Sequence, residues 1–367
     1  MSKPLTAIGL MSGTSLDGID VAMLVTDGET VRSRGPAMTV NYDDTQRSLL
    51  KRALADAVGL TDRAARPASL QQIETDLTRW HFEAVQKFCK RFDIALDRVD
   101  VIGFHGQTVI HRPEIGLTVQ LGDGAELARM CGVPVVYDMR ANDMVHGGQG
   151  APLVPVYHRA VVSALPDRPV AMVNIGGVAN VTWIGADGSL VAFDTGPGNA
   201  LLDDWMKRHT GTSRDEGGAM GLVGTVDEAA VAQFLGDGFF EKILPKSLDR
   251  DTFAGITLDG LSVADGAATL VAVTTRAIAV SESLMPENPK SWIICGGGRH
   301  NLAMMRELEK KLDNVQTAEQ LGLDGDAVEA EAWAFLAVRS LRGLPLTYPG
   351  TTGVREAVTG GVLVRPI

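Results

Sequence analysis

Cysteine is scarce. The 367 residues hold three, Cys89, Cys131 and Cys295. They stand far apart with no CxxC pair, which argues against a disulfide framework or a zinc site; they read as small buried apolar side chains. Positive charge is short as well: 34 Lys and Arg face 45 Asp and Glu, a net charge of −11. That balance argues against a general nucleic-acid or membrane-surface role, both of which need basic patches. It leaves phosphate ligands open, since local amides and Mg²⁺ can hold them. No run of about 18 apolar residues occurs, so no transmembrane helix is expected. The start Met1-Ser2-Lys3-Pro4 leads into a strand without a long apolar h-region. The expectation is a soluble cytoplasmic protein. Two familiar phosphate motifs are also missing: there is no G-K-[ST] and no GxGxxG after the first strand, which disfavours P-loop and Rossmann readings.

What is present suits a globular protein of two domains. The apolar share is 45% and the charged share 22%, and single cores stop growing near 250–300 residues. Strand-like runs lie at 6–11, 21–25, 99–103, 118–121, 133–137, 170–175, 178–184, 190–193 and 292–295. Helical stretches lie at 68–92, 261–284, 300–312 and 326–341; in the first, Leu70, Ile73, Leu77, Trp80, Val85 and Phe88 are spaced for one apolar face. Hairpins followed by helices, twice over, predict two α/β domains with mixed sheets covered by helices. No repeat or low-complexity linker separates them. Gly147-Gly148-Gln149-Gly150, with Pro152 and Pro155, is the best hinge candidate, giving domains at 1–145 and 146–349, with 350–367 returning to the first.

Three glycine turns carry the chemistry. Ile8 to Asp20 reads as a hairpin whose tip, Gly13-Thr14-Ser15, offers backbone N–H groups and two hydroxyls, a concavity suited to phosphate oxygens. An ordinary glycine turn fits the same residues. The second is Phe193-Asp194-Thr195-Gly196-Pro197-Gly198-Asn199: a strand ending at Phe193, an acid at its tip, a turn, then a helix with Asn199 as its N-cap and Asp203 and Asp204 near its start. A carboxylate there can serve as a base or anchor a metal, or can bond its own turn. The third, Cys295-Gly296-Gly297-Gly298-Arg299-His300, lets a flat nucleoside approach closely. Two phosphate-type turns plus a nucleoside-type turn match the actin-like sugar-kinase architecture, two ribonuclease H-like domains with an interdomain ATP cleft.

The run Gly9 to Asp20 resembles the opening signature of the anhydro-N-acetylmuramic acid kinases. Gly103-Phe104-His105-Gly106-Gln107-Thr108, His111-Arg112-Pro113, Gln120 to Gly124, Gly147 to Leu153, Asn174 to Asn180, Phe193 to Asn199, Cys295 to Asn301 and Asp326 to Ala330 agree with it. The resemblance covers nearly the whole chain. It implies a cytoplasmic, homodimeric enzyme of peptidoglycan recycling. Such an enzyme takes ATP, water and 1,6-anhydro-N-acetylmuramic acid, opens the anhydro ring and phosphorylates O6, giving N-acetylmuramic acid 6-phosphate and ADP.

By the same resemblance Asp194 is the base for water. Gly13, Thr14, Ser15, Leu16, Asp17, Gly18, Ile19 and Asp20 form the ATP-phosphate loop, with Thr14 also reaching the sugar. Gly196, Gly198 and Asn199 form the second phosphate turn, and Gly296, Gly297 and Gly298 the nucleoside turn. Asp17 holds Mg²⁺ through water or braces the loop; both stay open. Arg140 is the candidate for the lactyl carboxylate, because guanidinium pairs with carboxylate bidentately. Asp143 orients Arg140 or binds a hydroxyl, and Glu329 bonds a sugar hydroxyl; a surface ion pair and a solvated glutamate are the plain alternatives. His105, His111, His146 and His158 read as packed or turn histidines. A kinase for another sugar, or a nucleotide-gated binding protein, shares the fold, and fold alone does not separate them.

Overall fold

Runs of buried, β-branched side chains set the strands in the computed structural model, which describes residues 2–13, 15–248, 252–253 and 258–366. The first unit, Met1–Ser163 with Ala327–Ile367, begins with β1 (Leu5–Ser12), β2 (Gly18–Thr26), β3 (Val31–Asn41), β4 (Val101–Arg112), β5 (Leu117–Leu121) and β6 (Val135–Tyr137). The second unit, Ala164–Asp326, holds β7 (Val170–Ile175), β8 (Val178–Ile184), β9 (Leu190–Pro197), β10 (Ser291–Cys295) and β11 (Val315–Thr317). The chain then returns to the first unit and ends in β12 (Val362–Val364).

Each unit repeats one plan. In the first the order is β12-β6-β4-β1-β2-β3, with β5 paired to β4; in the second it is β11-β10-β7-β8-β9. In both, the opening three strands form an antiparallel meander and the next two add in parallel beside the first strand. This is the ribonuclease H-like order, 3-2-1-4-5 with strand 2 reversed, and mixed sheets flanked by helices are what the sequence predicts.

The division between units differs from the expected 1–145 and 146–349. The first unit runs on to Ser163 and is completed from Ala327 onward. The cause is helix Val328–Leu341, which lies directly on the backbone of β1 and β4. A Cβ at Gly9 would fall 1.8 Å from the carbonyl oxygen of Ala330, and one at Gly103 would fall 2.1 Å from that of Trp333. Gly9 and Gly103 are opposite each other in the parallel register, so together they make a bare strip for the helix. Helix Leu70–Phe92 covers the other face: Phe104 meets His81 at 4.8 Å, while the next residue, His105, meets Trp333 at 4.5 Å.

In the second unit, helix Val263–Val280 is buried almost throughout from Gly266 to Ile278. By length and composition Val263–Leu284 could cross a membrane, but 67% of its apolar window is buried inside the protein, as befits a core helix. β9 continues to Pro197 rather than stopping at Phe193, because pairing with β8 resumes past a bulge, at Ala179↔Gly196 and Val178↔Pro197. Proline is tolerated there since β9 is an edge strand.

Candidate active site

In the first unit, the hairpin tip after β1 is pinned from below. Ser12 Oγ donates to Gln107 Oε1 at 2.6 Å and bonds Tyr42 OH at 2.7 Å, while Gln107 Nε2 donates to Gly13 O at 3.1 Å. Leu16 takes a left-handed φ of 55° and is buried, so it offers only its main chain. Ser15 Oγ donates to Asp17 Oδ1 at 2.8 Å, and both side chains are exposed. Gly18 is glycine for packing, since a Cβ would meet Val40 O at 2.6 Å; at Gly13 nothing lies nearer than 3.5 Å. Ile19 is a core residue within β2, and Asp20 accepts from Thr39 Oγ1 at 2.5 Å. Ser15 and Asp17 thus stand exposed, whereas Gly18, Ile19 and Asp20 are engaged within the sheet. Thr14 lies outside the described residues.

A hydrogen-bonded chain leads from this loop to Arg140. Arginine has only donors, so His105 Nε2 accepts from Arg140 Nη2 at 3.1 Å, and the other ring nitrogen, Nδ1–H, donates to Ser12 O at 3.2 Å. Burial first, then the Arg140 charge, hold the His105 ring well below its ordinary range, so the imidazole is neutral. Arg140 also donates from Nη1 to Gly150 O at 2.9 Å and lies over the Trp333 ring at 5.3 Å. Burial pulls its affinity for the proton down to about 10, against the charges of Glu329 and Asp143; at neutral pH it remains a cation.

Asp143 is not a free ligand. It is 2% exposed, its Oδ2 accepts from Gly150 N at 2.6 Å and its Oδ1 from Thr352 Oγ1 at 2.6 Å. It acts on Arg140 through the loop that carries Gly150. Glu329 is half-buried in the first turn of helix Val328–Leu341. The expectation of packed histidines therefore holds for His158 and His105, both buried; His105 in addition bridges Ser12 O and Arg140.

In the second unit three turns meet on Asn199. Its N–H donates to Gly176 O at 2.7 Å and its Nδ2 to Ile175 O at 3.0 Å, while Gly198 N donates to Gly177 O at 3.0 Å. Asn199 heads helix Ala200–Thr210 but makes no side-chain cap; the expected cap is spent on the neighbouring turn. A Cβ at Gly198 would strike Gly176 O at 2.2 Å, and one at Gly298 would strike Ile175 Cγ2 at 2.3 Å. Gly296 has φ 73°. Arg299, buried, holds this third turn by donating to Gly296 O at 2.9 Å, Asp326 Oδ1 at 2.8 Å and Glu319 Oε1 at 2.7 Å.

Other glycines have no such excuse. At Gly176, Gly177 and Gly297 a Cβ would find nothing nearer than 3.6 Å, and none has a left-handed φ. Their bareness suits a ligand's close approach rather than packing. The sequence signal for Gly176 and Gly177 is a glycine pair between two apolar strands.

Asp194 sits within β9 opposite Asn180, beside the bulge. Its N–H donates to Lys246 O at 3.1 Å, and its Oδ2 accepts from Leu248 N at 2.7 Å. Burial pushes its carboxyl up to about 6, opposed by the Leu248 N–H and the Lys246 charge. Nothing in the run 243–248 marks Lys246 from sequence; only the fold brings it here.

Residues 5–366 match the family model described as Anhydro-N-acetylmuramic acid kinase. The chain belongs to the anhydro-N-acetylmuramic acid kinase family. Curated relatives of that name agree along their whole length. The Rhizobium johnstonii protein is 54% identical over 367 residues, covering 98% of this chain and 99% of its own. The Agrobacterium fabrum protein is 53% identical over 372 residues, covering 100% of both. Among solved structures, component A of the (R)-2-hydroxyglutaryl-CoA dehydratase of Acidaminococcus fermentans overlays at a TM-score of 0.48 with 10% identity, over 92% of this chain and 99% of that one.

Proposed function

We propose that this chain is an ATP-dependent kinase that opens 1,6-anhydro-N-acetylmuramic acid with water and phosphorylates O6, yielding N-acetylmuramic acid 6-phosphate and ADP for peptidoglycan recycling. The family match over residues 5–366 carries this reading. Water attacks C1 and gives its proton to Asp194. The C1–O6 bond breaks, and O6 takes the γ-phosphoryl group as ADP leaves. Because O6 is captured by phosphorus, no acid need protonate it, so one carboxylate serves where inverting glycosidases use two. A carboxyl raised to about 6 by burial is a stronger base than a solvated one and is still ionised at neutral pH.

The ATP phosphates are assigned to Gly13, Ser15, Asp17 and the turn Gly196, Gly198, Asn199, with Gly176 and Gly177 added on their bareness. Gly296 to Gly298 are assigned to the nucleoside, and Thr14 keeps its assigned place on phosphate and sugar. Among the described residues no cluster of three His, Cys, Asp or Glu side chains converges as for a protein-held metal. One exposed carboxylate, Asp17, suits a Mg²⁺ held mainly by phosphates and water, which would neutralise charge on the transferring group. Arg140 takes the lactyl carboxylate, Glu329 a sugar hydroxyl, and Asp143 keeps Arg140 in place. We assign the enzyme to the cytoplasm as a homodimer.

ATP-dependent formation of a 6-phosphorylated muramic acid is the test. A panel returning turnover only on another sugar, or calorimetry showing ATP binding without sugar binding, would overturn the reading. Two outcomes follow from the geometry. kcat/KM for the sugar climbs as pH rises through about 6 and is level above. Arg140→Lys keeps the charge but loses the fork that serves Gly150 O and His105. Sugar KM should then rise about 10–100-fold, as for a charged hydrogen bond of about 1.5–3 kcal/mol, with kcat changed far less; an unchanged KM would remove Arg140 from the carboxylate.

A further inference from the structure

Lys246 is a buried charge that the mechanism above leaves unused. It is 6% exposed. Its ammonium lies 4.5 Å from the Phe239 ring centre, 5.8 Å from Phe240 and 5.9 Å from Phe193, the residue before Asp194. Among the described residues it makes one hydrogen bond, a long one of 3.5 Å to Phe239 O. A lysine with so few partners needs compensation, which the ring faces and a nearby anion supply. The same segment grips Asp194 twice by main chain, through Lys246 O and Leu248 N. It thereby covers the free edge of β9 at the carboxylate.

We propose that the segment Lys246-Ser247-Leu248 is a positioning clasp for Asp194: Leu248 N–H fixes Oδ2, leaving Oδ1 to take the proton of water, while the caged Lys246 ammonium keeps the carboxylate ionised. The inference rests on Asp194 being the base. Among the described residues, the other charges around Asp194 do not duplicate Lys246. Asn180, across on β8, is neutral. Helix Val263–Val280 brings Arg276, paired with Glu228. In the stretch before Lys246, Asp237 caps Phe239 N, and Glu241 and Lys242 are exposed. Among the described residues, the burial that raises Asp194 is thus opposed by one through-space cation, Lys246.

Lys246→Met fills the phenylalanine cage without charge. The acid limb of kcat/KM should move up by about one pH unit. Activity would fall about fivefold at pH 6 and stay within about twofold of wild type at pH 9. Lys246→Arg should restore the limb. Lys246→Gln, which keeps a donor for Phe239 O, carries the same test if the Met variant does not fold. A merely structural lysine would lower activity equally at all pH values. An unmoved limb in the neutral variants, with Asp194→Asn inactive, overturns the clasp and leaves the base standing. Wild-type turnover in Asp194→Asn would instead remove the base itself.

Discussion

Asp194→Asn is expected to lose at least ~10²-fold in turnover, the lower end for a general base, and at the same time to become the more stable protein above pH 6. The two effects share one cause. Burial raises the Asp194 carboxyl from its ordinary 3.8 to about 6. Between those values the folded chain binds more protons at this site than the unfolded chain does. Stability therefore falls as pH rises across that window, and the deficit is complete above it. Asparagine keeps an oxygen for the Leu248 N–H and has no charge to bury. The gain should be roughly 1–3 kcal/mol at pH 8 and vanish below about pH 4. Urea melts of both proteins at pH 4 and 8, beside turnover at pH 8, read it out. A mutant no more stable at pH 8 than at pH 4, relative to wild type, would mean the carboxylate is not held against its solvation.

The second large effect concerns the fold. Gly9→Ala puts a methyl 1.8 Å from Ala330 O, and Gly103→Ala puts one 2.1 Å from Trp333 O. Both obstacles are backbone, so no side chain can swing aside, and helix Val328–Leu341 must lift. Each substitution should cost about 3 kcal/mol or more, the upper end for overpacking. Activity should fall with it, because the helix carries Trp333 beneath Arg140 and Glu329 beside it. Gly59→Ala is the control: a Cβ there meets nothing within 4 Å and φ is ordinary, so the change should stay within about 0.5 kcal/mol. Equal melting of Gly9→Ala and Gly59→Ala would contradict the bare-strip packing.

The same helix explains what could be read from the chain and what could not. Strands such as Val170–Ile175 and Val178–Ile184 are mostly apolar, broken only by Asn174, Asn180 and Thr182, and buried sheet positions demand such runs, so they are legible. β3 is not: Arg32, Arg34 and Pro36 interrupt it, and nearly all its side chains are at most half-buried, as an edge strand allows. β11 and β12 are three residues each and exist only through pairing. That residues 327–367 rejoin the first unit depends on Gly9 and Gly103 lying side by side, a contact no local pattern announces. In the site, the glycine turns and Asp194 stood out because glycine and acid at a strand end are locally unusual. The His105–Arg140 link, the Asp143 brace and the Lys246 cage are tertiary pairings between residues that are individually ordinary.

The central claim is that one carboxylate delivers one water to C1 while O6 departs to phosphorus. In a 1,6-anhydro pyranose O6 occupies the β face of C1, so a single displacement by water must invert that centre. The decisive measurement is the anomeric configuration of freshly formed 6-phosphate, followed by proton NMR before mutarotation. The α anomer should appear first and decay toward equilibrium. Initial β anomer would require two displacements and a second carboxylate as nucleophile, and would contradict the role given to Asp194.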